Sequence, residues 1–266
     1  RDLRMSRGLG DVYKRQSFMD FNLTEQQLMM QKLFREVAQN EVKENAADVD
    51  ENERFPKESV EVMRQAKMLG IPYSREYGGA GADYLCYILA IEELSKTCAT
   101  SGVVLSAHTS LGTWPIAQFG TEEQKQRFLT DLCTGKKLAA FGLTEPNAGT
   151  DAAGQQTTAV LDGDEYVING TKIFITNAGE ADVYVIFAMT DKTKGTRGIS
   201  AFILEKGTPG FTFGLHEKKL GIRGSATCEL IFNNVRIPKE NLLGKEGMGS
   251  VSYTHLRAHE TCADLV

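Results

Sequence analysis

Long apolar runs are missing from this 266-residue sequence: no segment is long enough to cross a bilayer as a helix, and none resembles the apolar part of a secretory signal. Positive charge is in deficit, with 30 Lys and Arg against 35 Asp and Glu, a net charge of −5 and a pI near 5.5. That balance argues against a general polyanion-binding surface such as a nucleic-acid interface. It leaves room for a small phosphorylated ligand, which local amides and a few basic side chains can hold. The five cysteines, Cys86, Cys98, Cys133, Cys228 and Cys262, are scattered and form no CxxC pair. Neither a disulfide framework nor a zinc ribbon is indicated, and a reducing, cytoplasmic compartment fits best. GxGxxG after a strand, GxxxxGK[ST], HExxH and GxSxG are all absent, so the signatures of dinucleotide-fold, P-loop, zincin and hydrolase chemistry are lacking.

What remains is an ordinary globular composition, 41% hydrophobic and 24% charged, long enough for one large domain or two smaller ones with their own cores. Residues 1–18 are basic and carry no helical or strand period, and Met19 opens MDFNLTEQQL like a natural start. From residue 251, VSYTHLRAHETCADLV breaks abruptly with what precedes it. Both ends are read as non-native additions. The spacing of His255, His259 and Cys262 is read as chance, because no second ligand cluster exists, and no metal is expected.

Residues 19–135 read as an all-helical domain. Thr24 and Gln27 form a capping box, and Met30, Leu33, Phe34, Val37 and Ala38 follow at helical spacing. Phe55-Pro56 breaks the pattern. A second helix then carries Val60, Met63, Ala66 and Leu69, with Gly70 expected as its left-handed cap. A third carries Leu85, Ile88, Leu89 and Leu94. SGVVLSAHTSLG, without charge and rich in small residues, reads as a buried helix that another surface approaches closely, and Thr121 with Gln124 caps a last helix reaching Leu132. Residues 136–250 read as short strands, with Asp162-Gly163 and Asn169-Gly170 as hairpin turns. The fold class expected is α+β: an N-terminal helical domain followed by an antiparallel β-barrel or sandwich.

Two stretches carry candidate chemistry. In FGLTEPNAGTDAAGQQTT a strand runs into a turn with exposed N–H groups and the hydroxyls of Thr144 and Thr150, suited to an oxygen-rich cofactor edge or a phosphate; an ordinary strand-to-loop turn is the competing reading. In KIFITNAGEAD, Phe174 and Thr176 lie two apart and so share a strand face, an aromatic ring beside a hydroxyl; core packing competes there. Among histidines outside the tail, His108 reads as a hydrogen-bonded core residue and His216 as part of a solvated turn.

GLTEPNAGTDA together with IFITN resembles the two signature segments of the acyl-CoA dehydrogenase family, in that family's order and spacing. MDFNLTEQQ, YGGAGAD, FGTEEQKQRFL and LGIRGSATCELIFNNVRIP match as well, so the resemblance runs from about Met19 to Ser250. It is nearest to the bacterial short-chain, butyryl-CoA type. The resemblance implies FAD as cofactor, with Phe141, Leu143, Thr144, Gly149, Thr150, Phe174, Ile175 and Thr176 around the flavin and Thr150 also beside the CoA thioester arm. Many relatives have Trp where this chain has Phe174. Part of the uncharged helix, near Val103 to Leu111, would shape the acyl pocket.

The implied reaction is oxidation of a short-chain acyl-CoA to a trans-2-enoyl-CoA, with electrons passed to electron-transfer flavoprotein. The full-length parent is expected to be a cytoplasmic homotetramer of fatty acid metabolism. The family's catalytic Glu lies on helices after the β-domain, beyond the point where this sequence leaves the pattern. No catalytic residue is therefore assigned, Glu145 is not taken as the base, and the chain is expected to be a truncated, inactive form that holds FAD weakly if at all. A non-catalytic flavin or CoA-binding module and an acyl-CoA oxidase-like flavoenzyme stand as alternatives.

Overall fold

A computed structural model describes residues 21–251; the leader and the tail, with Cys262 and its neighbouring histidines, lie outside the described residues apart from Val251. Helices come first. α1 (Glu25–Val37) starts at a capping box in which Thr24 and Gln27 satisfy each other's backbone N–H groups. It runs through a π turn (Ala38–Val42) into α2 (Lys43–Glu51). After Pro56 comes α3 (Lys57–Gln65), then α4 (Tyr84–Thr97), capped by Asp83, and α5 (Ala99–Ser106). A π segment (Ala107–Thr113) leads to α6 (Trp114–Phe119), and the capping box of Thr121 and Gln124 opens a last run to Cys133.

Two helical expectations are corrected. α3 does not reach Gly70. Lys67 takes the left-handed position at φ 55°, with Lys67 N–H on the Arg64 carbonyl and Met68 N–H on the Met63 carbonyl. This early stop turns Met68 and Leu69 fully inward. Gly70 serves a close approach instead, since a Cβ there would lie 2.5 Å from the Cys133 carbonyl oxygen. On α4 the buried face comprises Cys86, Tyr87, Leu89, Ala90, Glu93 and Leu94, whereas Leu85 and Ile88 point outward. With Leu28, Met29 and Leu33 of α1, these form an exposed apolar group on the helical half.

The strands are β1 (Ala139–Gly142), β2 (Thr158–Asp162), β3 (Glu165–Thr176), β4 (Val183–Met189), β5 (Ile199–Glu205), β6 (Phe211–His216), β7 (Thr227–Pro238) and β8 (Leu242–Leu243). They form one sheet in the order β6-β7-β3-β2-β4-β5-β8, with β1 beside β4. The sheet is mixed rather than wholly antiparallel: β1 and β2 each run parallel to β4. The Asp162-Gly163 turn is present, with Gly163 at φ 66°. Asn169-Gly170 is not a turn. β3 continues through it with a register shift, and a Cβ on Gly170 would meet Thr157 Oγ1 at 2.4 Å, so the glycine admits a crossing chain.

Every residue of β4 is buried, because one apolar cluster covers each face of β4 and β5. One cluster includes α1, α3 and α4 side chains with Tyr184 and Phe202; the other joins Ile116, Phe128 and Leu132 to Val185 and Phe187. The uncharged helix packs as expected. Gly112 lets it approach β1 so closely that a Cβ would lie 2.5 Å from that of Ala139.

Candidate functional site

The end of β3 departs from regular strand geometry. Lys172 pairs with Leu230 and Ile175 with Cys228, so β3 holds one residue more than its partner. Within this bulge Phe174 has φ 58° and is 57% exposed. An aromatic residue held left-handed costs about 1–2 kcal/mol, and such strain gathers where a protein uses it. Phe174 and Thr176 do not share a face through simple strand alternation as the sequence suggested. The bulge turns Phe174 outward, and both residues still border the same cleft.

That cleft, of about 160 Å³, is lined by Phe141, Leu143 and Thr144 on one side and by Phe174, Ile175 and Thr176 on the other. Ala107 and Leu111 complete it from the π segment of the uncharged helix. Six of the residues singled out in the sequence thus meet in space. Gly149 and Thr150 do not line the cleft; they are exposed on the loop beyond Glu145. Ile175 borders the cleft but is itself packed into the core at 2% exposure. No hydrogen bond within the described residues engages the hydroxyls of Thr144 or Thr176. The volume is below the ~300–1,000 Å³ of a complete ligand pocket. Open hydroxyls beside an outward aromatic ring fit the isoalloxazine edge of FAD.

A feature missed in the sequence lies directly beneath. Lys172, fully buried, sends its ammonium to the Leu143 carbonyl at 3.1 Å, Glu145 Oε1 at 2.7 Å and Gln155 Oε1 at 2.8 Å. Glu145 also accepts from the N–H groups of Gln156 at 2.6 Å and Thr157 at 3.1 Å. Burial pushes the Glu145 carboxyl up, but the Lys172 charge and these hydrogen bonds outweigh it, and the carboxyl stays below its usual range. For Lys172 burial prevails over the Glu145 charge and lowers it to about 8, leaving it an ammonium at neutral pH. Glu145 is therefore committed to a buried ion pair. The legible signal was a Lys at an inward-facing position of a strand.

His108 is fully buried, with Nδ1 accepting from Ala139 N–H at 3.0 Å and Nε2 facing the Leu132 carbonyl at 3.2 Å. Burial lowers it to about 4, so it is a neutral joint between the helical run and β1. His216 ends β6, exposed, beside a separate cavity of about 310 Å³ that Lys219 and Arg223 also line. Cys86, Cys98, Cys133 and Cys228 are buried free thiols, and among the described residues no group of His, Cys, Asp or Glu is arranged to hold a metal.

The acyl-CoA dehydrogenase N-terminal domain family model matches residues 24–136, and the middle domain model matches residues 140–235. The chain is 63% identical over 231 residues to the short-chain specific acyl-CoA dehydrogenase of Clostridium acetobutylicum, covering 87% of this chain and 61% of that protein. It superposes with a TM-score of 0.87 and 50% identity on butyryl-CoA dehydrogenase from Megasphaera elsdenii, covering 90% of this chain and 63% of that one. A chain in the structure described as "Electron transferring flavoprotein of Acidaminococcus fermentans: Towards a mechanism of flavin-based electron bifurcation" matches with a TM-score of 0.87 and 54% identity, covering 90% and 63%. The chain thus spans somewhat over three-fifths of the length of these relatives. Two consecutive domain matches, in family order and on the fold described above, establish that the chain belongs to the acyl-CoA dehydrogenase family.

Proposed function

We propose that this chain is the flavin-facing part of an FAD-dependent acyl-CoA dehydrogenase that oxidises short-chain acyl-CoA thioesters to trans-2-enoyl-CoA. The observation that carries the reading is the cleft where the bulged end of β3 meets the loop after β1. FAD, when bound, supplies the acceptor for the hydride leaving the β-carbon of the thioester. Thr144 and Thr176 would hold the ring by hydrogen bonds from their hydroxyls, and Phe174 would pack against it. Ala107 and Leu111 line the apolar side toward the acyl chain and help exclude water. Gly149 and Thr150, exposed on the adjoining loop, would serve the ribityl and thioester arms.

Glu145, paired and enclosed, is not assigned as the base that removes the α-proton. Reoxidation by electron-transfer flavoprotein, a homotetrameric parent and a cytoplasmic location complete the proposal. Nucleic acid and membrane partners are not part of it, and among the described residues no helix is long and apolar enough to cross a membrane. The domain limits follow the same reading: a helical domain over 19–135 and a β-domain over 136–250.

The test is butyryl-CoA-dependent reduction of an electron-accepting dye. The full-length parent is expected to turn over, whereas the 266-residue chain alone is expected to show no substrate-dependent reduction. Turnover by the chain alone would place the base among its own residues. Because Glu145, enclosed beneath the cleft, is already paired with Lys172, a non-catalytic flavin- or CoA-binding module is the second reading. It gains if the full-length parent binds butyryl-CoA without dye reduction. Rapid reaction of the reduced flavin with oxygen would instead favour an acyl-CoA oxidase.

A further inference from the structure

All donors of the Lys172 ammonium are used, and one of them bears directly on the cleft. The Leu143 carbonyl that it binds and the Thr144 N–H belong to the same peptide unit. Leu143 and Thr144 both line the cleft, and the Thr144 N–H donates to no group among the described residues. A cation on the carbonyl end of a peptide polarises the whole unit and makes its N–H a better donor, most strongly where water is excluded. The next carbonyl, that of Thr144, accepts from the Ile173 N–H at 2.9 Å. Consecutive residues of the bulged strand therefore fix consecutive carbonyls of the cleft wall, one by side chain and one by main chain.

Packing alone does not require such a pair, since apolar residues of similar volume usually fill a buried site at least as stably. Glu145 supplies the counter-charge and, through the N–H groups of Gln156 and Thr157, ties down the far end of the exposed loop.

We propose that Lys172 is a positioning residue for the flavin site: it fixes the Leu143–Thr144 peptide and strengthens its N–H as a donor to the ring edge, which favours the reduced flavin. This rests on the reading of the cleft as the flavin site. The charge on Lys172 is the active element, and Glu145 keeps that charge inside the protein.

The experiment compares the full-length parent with its Lys172→Met/Glu145→Gln and Lys172→Gln/Glu145→Gln forms. FAD is titrated by flavin fluorescence, and the midpoint potential of the bound flavin is measured by dye equilibration. Both double variants remove the charges as a pair, and the second keeps a neutral donor at position 172. Expected is FAD affinity at least tenfold weaker for the Met form and less reduced for the Gln form. In both, the preference for reduced flavin falls about tenfold, equivalent to a potential lower by about 30 mV for a two-electron couple. A folded double variant with wild-type affinity and potential would give the pair a purely structural role and overturn the proposal, while the cleft reading stood. If the wild-type full-length parent takes up no FAD, the cleft reading fails and this inference fails with it.

Discussion

β4 and β3 belong to one sheet, separated only by β2, yet they treat side chains in opposite ways. In β4 hydrophobicity and burial agree at every position, because both faces are covered. In β3 they invert at its end: a lysine is fully buried and, two residues on, a phenylalanine is more than half exposed. β4 is explained by packing alone. β3 is not, for it carries a buried charge and a left-handed aromatic residue that a structural strand avoids. Such departures from local rules gather at functional or strained sites.

Two substitutions break this contrast most strongly. Phe187 of β4 is fully buried against Phe141, ring centroids 5.0 Å apart. Phe187→Ala is expected to cost about 3–5 kcal/mol, read as a lower midpoint in urea unfolding. In β3, Lys172→Met alone leaves the Glu145 carboxylate buried without its partner and is expected to cost a comparable ~3–5 kcal/mol. Adding Glu145→Gln should recover most of that loss. A double-mutant cycle with no coupling would show that the two groups do not act as a pair.

A smaller effect tests the joint that seats β1 beside β4. The folded His108 is held at about 4 against an ordinary 6.5, so the unfolded chain binds the proton first as the pH falls. Its contribution is complete above about pH 6.5 and is lost as the pH drops toward 4, a total of about 3 kcal/mol. Stability measured across that window should fall in the wild type, and His108→Gln should flatten this part of the slope. An unchanged slope would remove His108 from the account.

The smallest stability change is expected at Phe174. Relief of its positive φ and the greater freedom of an unfolded glycine nearly cancel, so Phe174→Gly should alter stability by less than about 1 kcal/mol. It should nevertheless weaken FAD binding severalfold. The two phenylalanines then separate cleanly, Phe187 governing stability and Phe174 the ligand.

Much of the fold was legible where a local rule dominates. The capping boxes at Thr24 and Thr121, the apolar run of β4 and the small-residue helix near Gly112 follow from periodicity and cap chemistry. The rest depended on contacts distant in sequence. Gly70 and Asn169-Gly170 carry the marks of a cap and a turn, but their glycines serve close approaches to Cys133 and Thr157. The apolar spacing of α4 placed Leu85 and Ile88 inside, whereas Glu93 takes an inward position held by Arg35 at 2.9 Å. At the site, the two motif segments pointed to Thr144 and Phe174. The bulge that makes them neighbours, and the Lys172–Glu145 pair beneath, arise from pairing with β7 and from a loop that returns over β3.

The most direct test of the central claim is a fluorescence titration of FAD into the wild-type full-length parent and its Phe174→Gly form, with unfolding of each followed in parallel. The account predicts saturable quenching by the wild type, and severalfold weaker binding by a variant of nearly unchanged stability. Equal affinities, or no uptake of FAD by a folded wild-type parent, would contradict the claim that the bulged end of β3 is a flavin site.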